Sequence, residues 1–160
     1  MAMPDLTAPL SPHLTWGQWI ATRHVEFVKE QNTDDPEILW NSRRTALDLV
    51  EPVFALVGRC HLTSGYRSLG LNRALKSPDS SAHRQGRAAD LVPCEMDLPA
   101  AFQLLALSAL PFDQLIYEVG WIHVSGARTQ MPPRHQILTY FSRADGYQPW
   151  DPTDPRWPLT

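Results

Sequence analysis

The chain has 160 residues, 43% hydrophobic and 19% charged, with a net charge of −3. This is the composition of one globular domain large enough to bury a core. It excludes a disordered chain and offers no basic excess for displacing counterions from nucleic acid. No apolar run is long enough to span a bilayer. The opening Met1-Ala2-Met3-Pro4-Asp5 lacks the basic and then apolar pattern of a signal peptide, so synthesis in the cytosol is expected.

In chain order, Thr15 to Arg23 reads as a capped helix, and Glu26 to Glu30 as its continuation or a second turn. Asn32-Thr33-Asp34-Asp35-Pro36 is a cap region with proline at the first helical position. From Ile38 one stripe runs Leu39, Ser42, Ala46, Leu49, Val50, Val53, Phe54 and Val57, which predicts a long helix kinked by Pro52 and ended by Gly58. Cys60 to Ser64 reads as a strand, Leu69 to Leu75 as a short helix, and Lys76 to Ser81 as a loop of turn formers. Ala88 to Val92 is a buried strand closed by Pro93. Asp97-Leu98-Pro99 opens a helix with Leu98, Phe102, Leu105 and Ala109 on one face. Phe112 to Tyr117 and Trp121 to Ser125 read as strands joined by a turn at Gly120, and Gln136 to Phe141 as a last helix or strand. Helices followed by mostly antiparallel strands give an α+β order. Residues 1–142 are expected to form one domain and 143–160 a tail. Pro149, Pro152, Pro155 and Pro158 recur there at polyproline II spacing, and at least one of Trp150 and Trp157 should pack on the domain.

Chemistry concentrates in two stretches, Ser81-Ala82-His83-Arg84-Gln85-Gly86-Arg87-Ala88-Ala89-Asp90 and Glu118-Val119-Gly120-Trp121-Ile122-His123-Val124-Ser125. An aspartate amid Ala, Leu and Val in a strand is costly unless it is paired or bound to a cation. The small Gly86 and Ala88 leave room for His83 to fold back towards it. Strand alternation puts Trp121, His123 and Ser125 on one face and points Ile122 and Val124 into the core. Two imidazoles and a carboxylate, with a fourth position for water, make a catalytic zinc site, and a nearby free carboxylate can take the proton of that water. Cys60 and Cys94 have no C-x-x-C spacing and read as two reduced thiols at strand edges. His13, His24 and His61 have no comparable context, whereas the loop carrying His135 is a candidate cleft lining.

The order Ser64-Gly65-Tyr66-Arg67-Ser68, then S-x-H-x-x-G-x-A-x-D, then W-x-H-x-S resembles the zinc D-alanyl-D-alanine carboxypeptidase family. The likeness is greatest to its small single-domain branch, which includes phage endolysins. Asn41 to Val57, Leu71-Asn72-Arg73-Ala74 and Phe112-Asp113-Gln114-Leu115-Ile116 extend it across about Leu14 to Phe141. The resemblance implies a hedgehog/DD-peptidase-like fold, with N-terminal helices packed on a small sheet that carries one zinc ion per chain. It implies His83, Asp90 and His123 as metal ligands and Glu118 as the general base, with Asp113 as the alternative. Arg67 would meet a substrate carboxylate or the oxyanion, for which its forked donors are suited; Ser81 would touch substrate, and Tyr66 is either a second such contact or a core aromatic.

The implied reaction is hydrolysis of a peptidoglycan stem peptide by a zinc-held water. A phage- or prophage-type lytic peptidase comes first, cutting an L-alanyl-D-glutamate bond, and a D-Ala-D-Ala carboxypeptidase second. Such an enzyme is expected to be a monomer that reaches the wall after release. The alternative is a catalytically inactive module of the same fold, docking to wall or virion. Three positions depart from the family pattern. Gly120 stands where an acidic residue is usual, Lys76-Ser77-Pro78-Asp79 replaces a double glycine, and Gly126 replaces an aromatic.

Overall fold

The computed structural model describes residues 4–157. Pro158, the last proline of the expected repeat, lies outside the described residues. A two-stranded ribbon, β1 (Pro9–Ser11) and β2 (Leu14–Thr15), leads into α1 (Trp16–Ile20). Thr15 and Gln18 cap that helix reciprocally, each side chain taking the other's backbone N–H, so the S/T-x-x-E/Q logic holds with Thr and Gln. A 3₁₀ turn (Val25–Phe27) and α2 (Val28–Gln31) follow.

The long helix comprises α3 (Pro36–Thr45), a π-helical turn (Ala46–Val50) and α4 (Glu51–Val57). Asp35 caps it by accepting from the Glu37 and Ile38 amides, with Pro36 just inside. The break expected at Pro52 takes the form of this π turn immediately upstream. Proline has no N–H for the carbonyl four residues back and its ring crowds that carbonyl, and a widened turn accommodates both. Gly58 ends the helix at φ +80°.

The remaining elements are β3 (Cys60–Ser64), α5 (Leu69–Ala74), a 3₁₀ turn (Ala82–Gln85), β4 (Ala88–Pro93), α6 (Leu98–Ala106), β5 (Phe112–Tyr117), β6 (Ile122–Gly126), β7 (Gln136–Thr139) and β8 (Gln148–Pro149). Asp97 caps α6. Phe102 and Leu105 are buried as the stripe predicts, but Ala109 lies beyond the helix and is exposed. The main sheet has the order β3-β4-β6-β5-β7-β8.

The fold is α+β, with a mixed sheet rather than a nearly all-antiparallel one. Gln136 to Thr139 is a strand, and it runs parallel to β5. β6 ends and β7 begins at the end of the sheet where β5 starts, so residues 127–135 pass the start of β5 and set β7 on its far side, antiparallel to β6 but separated from it by β5. In the core, Trp19, Val50, Val53 and Phe102 meet Leu91, Leu115, Ile122 and Val124 of the sheet. The long helix meets α6 towards one end and the turn Ala82–Gln85 towards the other.

The C-terminal segment is built into this core. Trp157 is 5% exposed, with ring centroids 4.9 Å from Tyr117 and 5.4 Å from Phe102. Trp150 packs half-buried against Phe102 at 5.8 Å. The backbone is not polyproline II, however. The Asp154 amide donates to Asp151 O and the Trp157 amide to Asp154 O, so the prolines punctuate successive turns, whereas polyproline II has no internal hydrogen bonds. Cys60 lies across from Pro93, and both cysteines are free thiols. Burial, with Cys94 and Glu95 nearby, pushes the Cys60 thiol up to about 12. Among the described residues no helix is long and apolar enough to cross a membrane.

Candidate metal centre

Three elements converge on one point. β4 and β6 pair antiparallel with Asp90 directly opposite His123, and the turn Ala82–Gln85 swings His83 over them. Gly86 ends that turn at φ +67°, a conformation glycine adopts without strain. A Cβ at Gly86 would strike Ser42 Oγ and the Ile38 carbonyl of α3. The smallness of Gly86 therefore lets the turn dock on the long helix, rather than making room for the His83 ring as the sequence suggested.

His83 and Asp90 are 2% and 3% exposed and His123 is 9% exposed. Their donor atoms form a nearly equilateral triangle. His83 Nε2 lies 3.2 Å from Asp90 Oδ1 and 3.2 Å from His123 Nδ1, and His123 Nδ1 lies 3.0 Å from Asp90 Oδ1. Donors about 2.0–2.1 Å from a tetrahedral zinc are about 3.3–3.4 Å apart, so the triangle is slightly contracted from one face of such a site.

Proton accounting points the same way. His83 Nδ1 lies 2.7 Å from the Gly65 carbonyl, which can only accept, so the ring proton sits there and Nε2 turns a lone pair towards Asp90. Burial is the main influence on His83 and lowers its pKa, which disfavours the imidazolium despite the pull of Asp90. Burial pushes the Asp90 carboxyl up, but the charges and hydrogen bonds of His83 and His123 outweigh it and hold the group ionised, well below the usual range. Two acceptor atoms thus face each other at 3.2 Å inside the protein, an arrangement a bound cation stabilises. The three residues fit a metal ion, and among the described residues they are the one His/Cys/Asp/Glu group with donor atoms close enough to hold one.

The second carboxylate oxygen of Asp90 is held by Arg67 Nη2 at 2.5 Å, and Arg67 Nε donates to Ser64 Oγ at 2.8 Å. Arg67 therefore fixes the orientation of the Asp90 carboxylate. The loop carrying it is held from beneath by Gln31, which is 1% exposed. Gln31 Nε2 donates to Ile20 O and Tyr66 O, both at 2.9 Å, and its Oε1 accepts from the Ser68 amide at 2.7 Å. Sequence reading missed Gln31, since a glutamine in a polar stretch carries no signal of burial. It missed the Gly65 carbonyl as well, although a glycine beside an expected cleft arginine was a signal.

Glu118 follows β5 and is half-buried beside the cluster. Burial is the first cause of its raised pKa and the Asp90 charge the second, offset in part by His123 and Arg67. Val119 follows at φ +49°, strained for a β-branched residue, and the Glu118 amide donates to Trp121 O at 3.0 Å. This tight reversal turns Glu118 back over the start of β6.

Asp113 is placed elsewhere. It lies three residues from Ile116, the neighbour of His123, which is about 10 Å along the strand. There it is buried and engaged by Arg134 through both carboxylate oxygens, at 2.6 to 3.1 Å. His135 packs edge-on against Phe112 at that same far end, with ring centroids 5.3 Å apart, away from the cluster. Ser81 precedes the His83 turn, half-buried, with no cap hydrogen bond from its side chain. Tyr66 is 8% exposed and belongs to the hydrophobic core, and its pKa is raised by burial, with Thr33 as a hydrogen-bonding partner. Of the two readings the sequence left for Tyr66, its burial matches the core aromatic. On the strand face that carries His123, Ser125 is buried at 1% exposed and Trp121 is exposed.

Residues 23–125, which contain Arg67, Ser81, His83, Asp90, Asp113, Glu118 and His123, match the family model described as Peptidase M15. The chain belongs to the peptidase M15 family. This is the zinc D-Ala-D-Ala carboxypeptidase family of the sequence resemblance, and its members are zinc-dependent metallopeptidases. No curated protein matches the chain. The M15 match ends at Ser125, within β6, so β7, β8 and the buried Trp157 lie outside it.

Proposed function

We propose that this protein is a zinc peptidase that hydrolyses peptidoglycan stem peptides, a lytic enzyme of the phage or prophage endolysin type. The observation that carries the reading is the buried His83–Asp90–His123 triangle with a separate half-buried carboxylate, Glu118, beside it. Zinc bound there would polarise a carbonyl and lower the pKa of water to about 7.

The chain's own residues supply the rest. Asp90 presents one oxygen to the cluster while Arg67 holds the other, so the carboxylate cannot rotate away. Gly65 O fixes the His83 tautomer that leaves Nε2 unprotonated. Glu118, a half-buried carboxylate with its pKa raised by burial, is suited to accept a proton from an attacking water and return it to the leaving amine. Arg67 stands within reach of a developing oxyanion, and the Ser81 hydroxyl can hydrogen-bond the peptide. The L-alanyl-D-glutamate bond is the first candidate for cleavage and the terminal D-Ala-D-Ala bond the second. A non-catalytic module would gain nothing from the cost of a half-buried carboxylate beside this cluster.

The test is digestion of purified peptidoglycan, with activity abolished by a chelator and restored by zinc, and with the new termini identified by mass spectrometry. Free alanine amino groups alone would support D,D-cleavage, and glutamate amino groups L,D-cleavage. Intact peptidoglycan after incubation with the zinc-loaded protein would refute the reading.

A further inference from the structure

The strands beyond the matched segment bring a pair of tyrosines to the end of the sheet that carries Glu118. β7 runs parallel to β5 with Thr139 beside Tyr117, and the Tyr140 amide donates to Tyr117 O at 2.8 Å. Tyr140 therefore emerges next to Glu118. β8 returns antiparallel with Gln148 opposite Thr139, which sets Tyr147 against Tyr140 with ring centroids 4.9 Å apart.

The connection is tightly built. Ser142 Oγ donates to Asp145 Oδ2 at 2.5 Å, the Gly146 amide donates to Ser142 O, and Gly146 sits at φ +66°. Behind it, the Trp150 amide donates to Ile137 O, and Trp157 is locked into the core. Yet Tyr147 itself is 56% exposed. Partial desolvation, then the charge of Glu118, and those of Tyr140 and Asp90 after it, raise the phenol pKa against the opposing charge of Arg67, so the hydroxyl keeps its proton. A large ring held by a tilted aromatic partner and a braced turn, left largely open to solvent near a half-buried carboxylate, is a pre-formed contact surface.

We propose that Tyr147, backed by Tyr140, is a substrate-contacting wall of the peptidase cleft, packing its ring against the peptide and donating its hydroxyl to a peptide carbonyl. This rests on the peptidase reading above and assigns a binding task to a segment outside the M15 match. A tyrosine suits it because the ring supplies apolar area and the tip a donor, with few rotatable bonds to immobilise.

The experiment measures binding of a soluble stem peptide, L-Ala-D-Glu-Lys-D-Ala-D-Ala, by calorimetry to zinc-loaded Glu118→Gln protein, in which turnover is suppressed. Binding is compared with and without Tyr147→Ala or Tyr147→Phe, and each variant's melting temperature and zinc content are recorded. Tyr147→Ala should weaken binding by about tenfold or more, and Tyr147→Phe by about two- to tenfold, the usual effect of one hydrogen bond. Zinc content should be unchanged and melting little affected, since the ring is largely exposed. In otherwise wild-type protein, Tyr147→Ala should raise KM more than it lowers kcat. Peptide affinity within twofold of the parent for Tyr147→Ala would overturn the proposal while leaving the peptidase reading intact. Undetectable binding to the parent would overturn it as well. Failure of the wild-type protein to cleave any stem peptide would overturn the peptidase reading, and weaker binding on loss of Tyr147 would still support the wall.

Discussion

Replacing Gln31 with leucine tests whether one buried amide supports the whole site. The side chain makes three hydrogen bonds, to Ile20 O, Tyr66 O and the Ser68 amide, and is almost wholly enclosed. Leucine keeps similar bulk but leaves all three backbone groups without that partner. At about 0.5–1.5 kcal/mol per bond, Gln31→Leu should cost about 3 kcal/mol. For a chain of this length that corresponds to a fall in melting temperature of roughly 6–12 °C. Gln31→Glu should cost more, because it turns a carboxylate towards two carbonyl oxygens. The same loop carries Gly65 O and Arg67, which orient His83 and Asp90, so zinc affinity should also drop by about tenfold or more. Calorimetric melting and a competitive zinc titration measure the two effects. A variant that melts within 2 °C of wild type and binds zinc equally well would refute the idea that Gln31 holds the loop.

His83→Ala or His123→Ala should abolish zinc binding and activity together, because two remaining ligands hold a catalytic ion poorly; near-stoichiometric zinc by elemental analysis in either variant would contradict the ligand assignment. Glu118→Gln should retain zinc while lowering kcat by about 10²- to 10⁴-fold, whereas Asp113→Asn should mainly lower stability by freeing Arg134, and the reverse pattern would make Asp113 the base. The Glu118 pKa is raised on folding, so its favourable contribution to stability is complete below about 4.5 and is lost as pH rises through the folded value. In metal-free protein, the melting temperature of Glu118→Gln relative to wild type should therefore be higher at pH 7 than at pH 4, and an equal difference at both would show that Glu118 is not desolvated. Truncation after Arg143 removes the buried Trp157 and should lower the melting temperature by about 10 °C or more, given roughly 3–5 kcal/mol for a core tryptophan, with zinc binding retained; unchanged melting would make the tail dispensable.

Local sequence determined much of this molecule. Thr15, Asp35 and Asp97 cap helices where the text predicts them, because a cap depends on a few adjacent residues. The strands carrying Asp90 and His123 were legible from apolar runs bounded by glycine and proline, and the motif spacing singled out the three residues whose donor atoms the fold brings together. The tertiary structure decided what depends on residues far apart in the chain. β7 pairs parallel to β5 rather than as a hairpin, which periodicity along one strand cannot reveal. Gly86 is constrained by α3 some forty residues upstream, and Gln31 joins three backbone groups that no local pattern connects. Tyr66 and Arg67 are neighbours in sequence, yet one faces the core and the other pairs with Asp90. Alternation along a chain separates such neighbours, but only packing decides which side is inside.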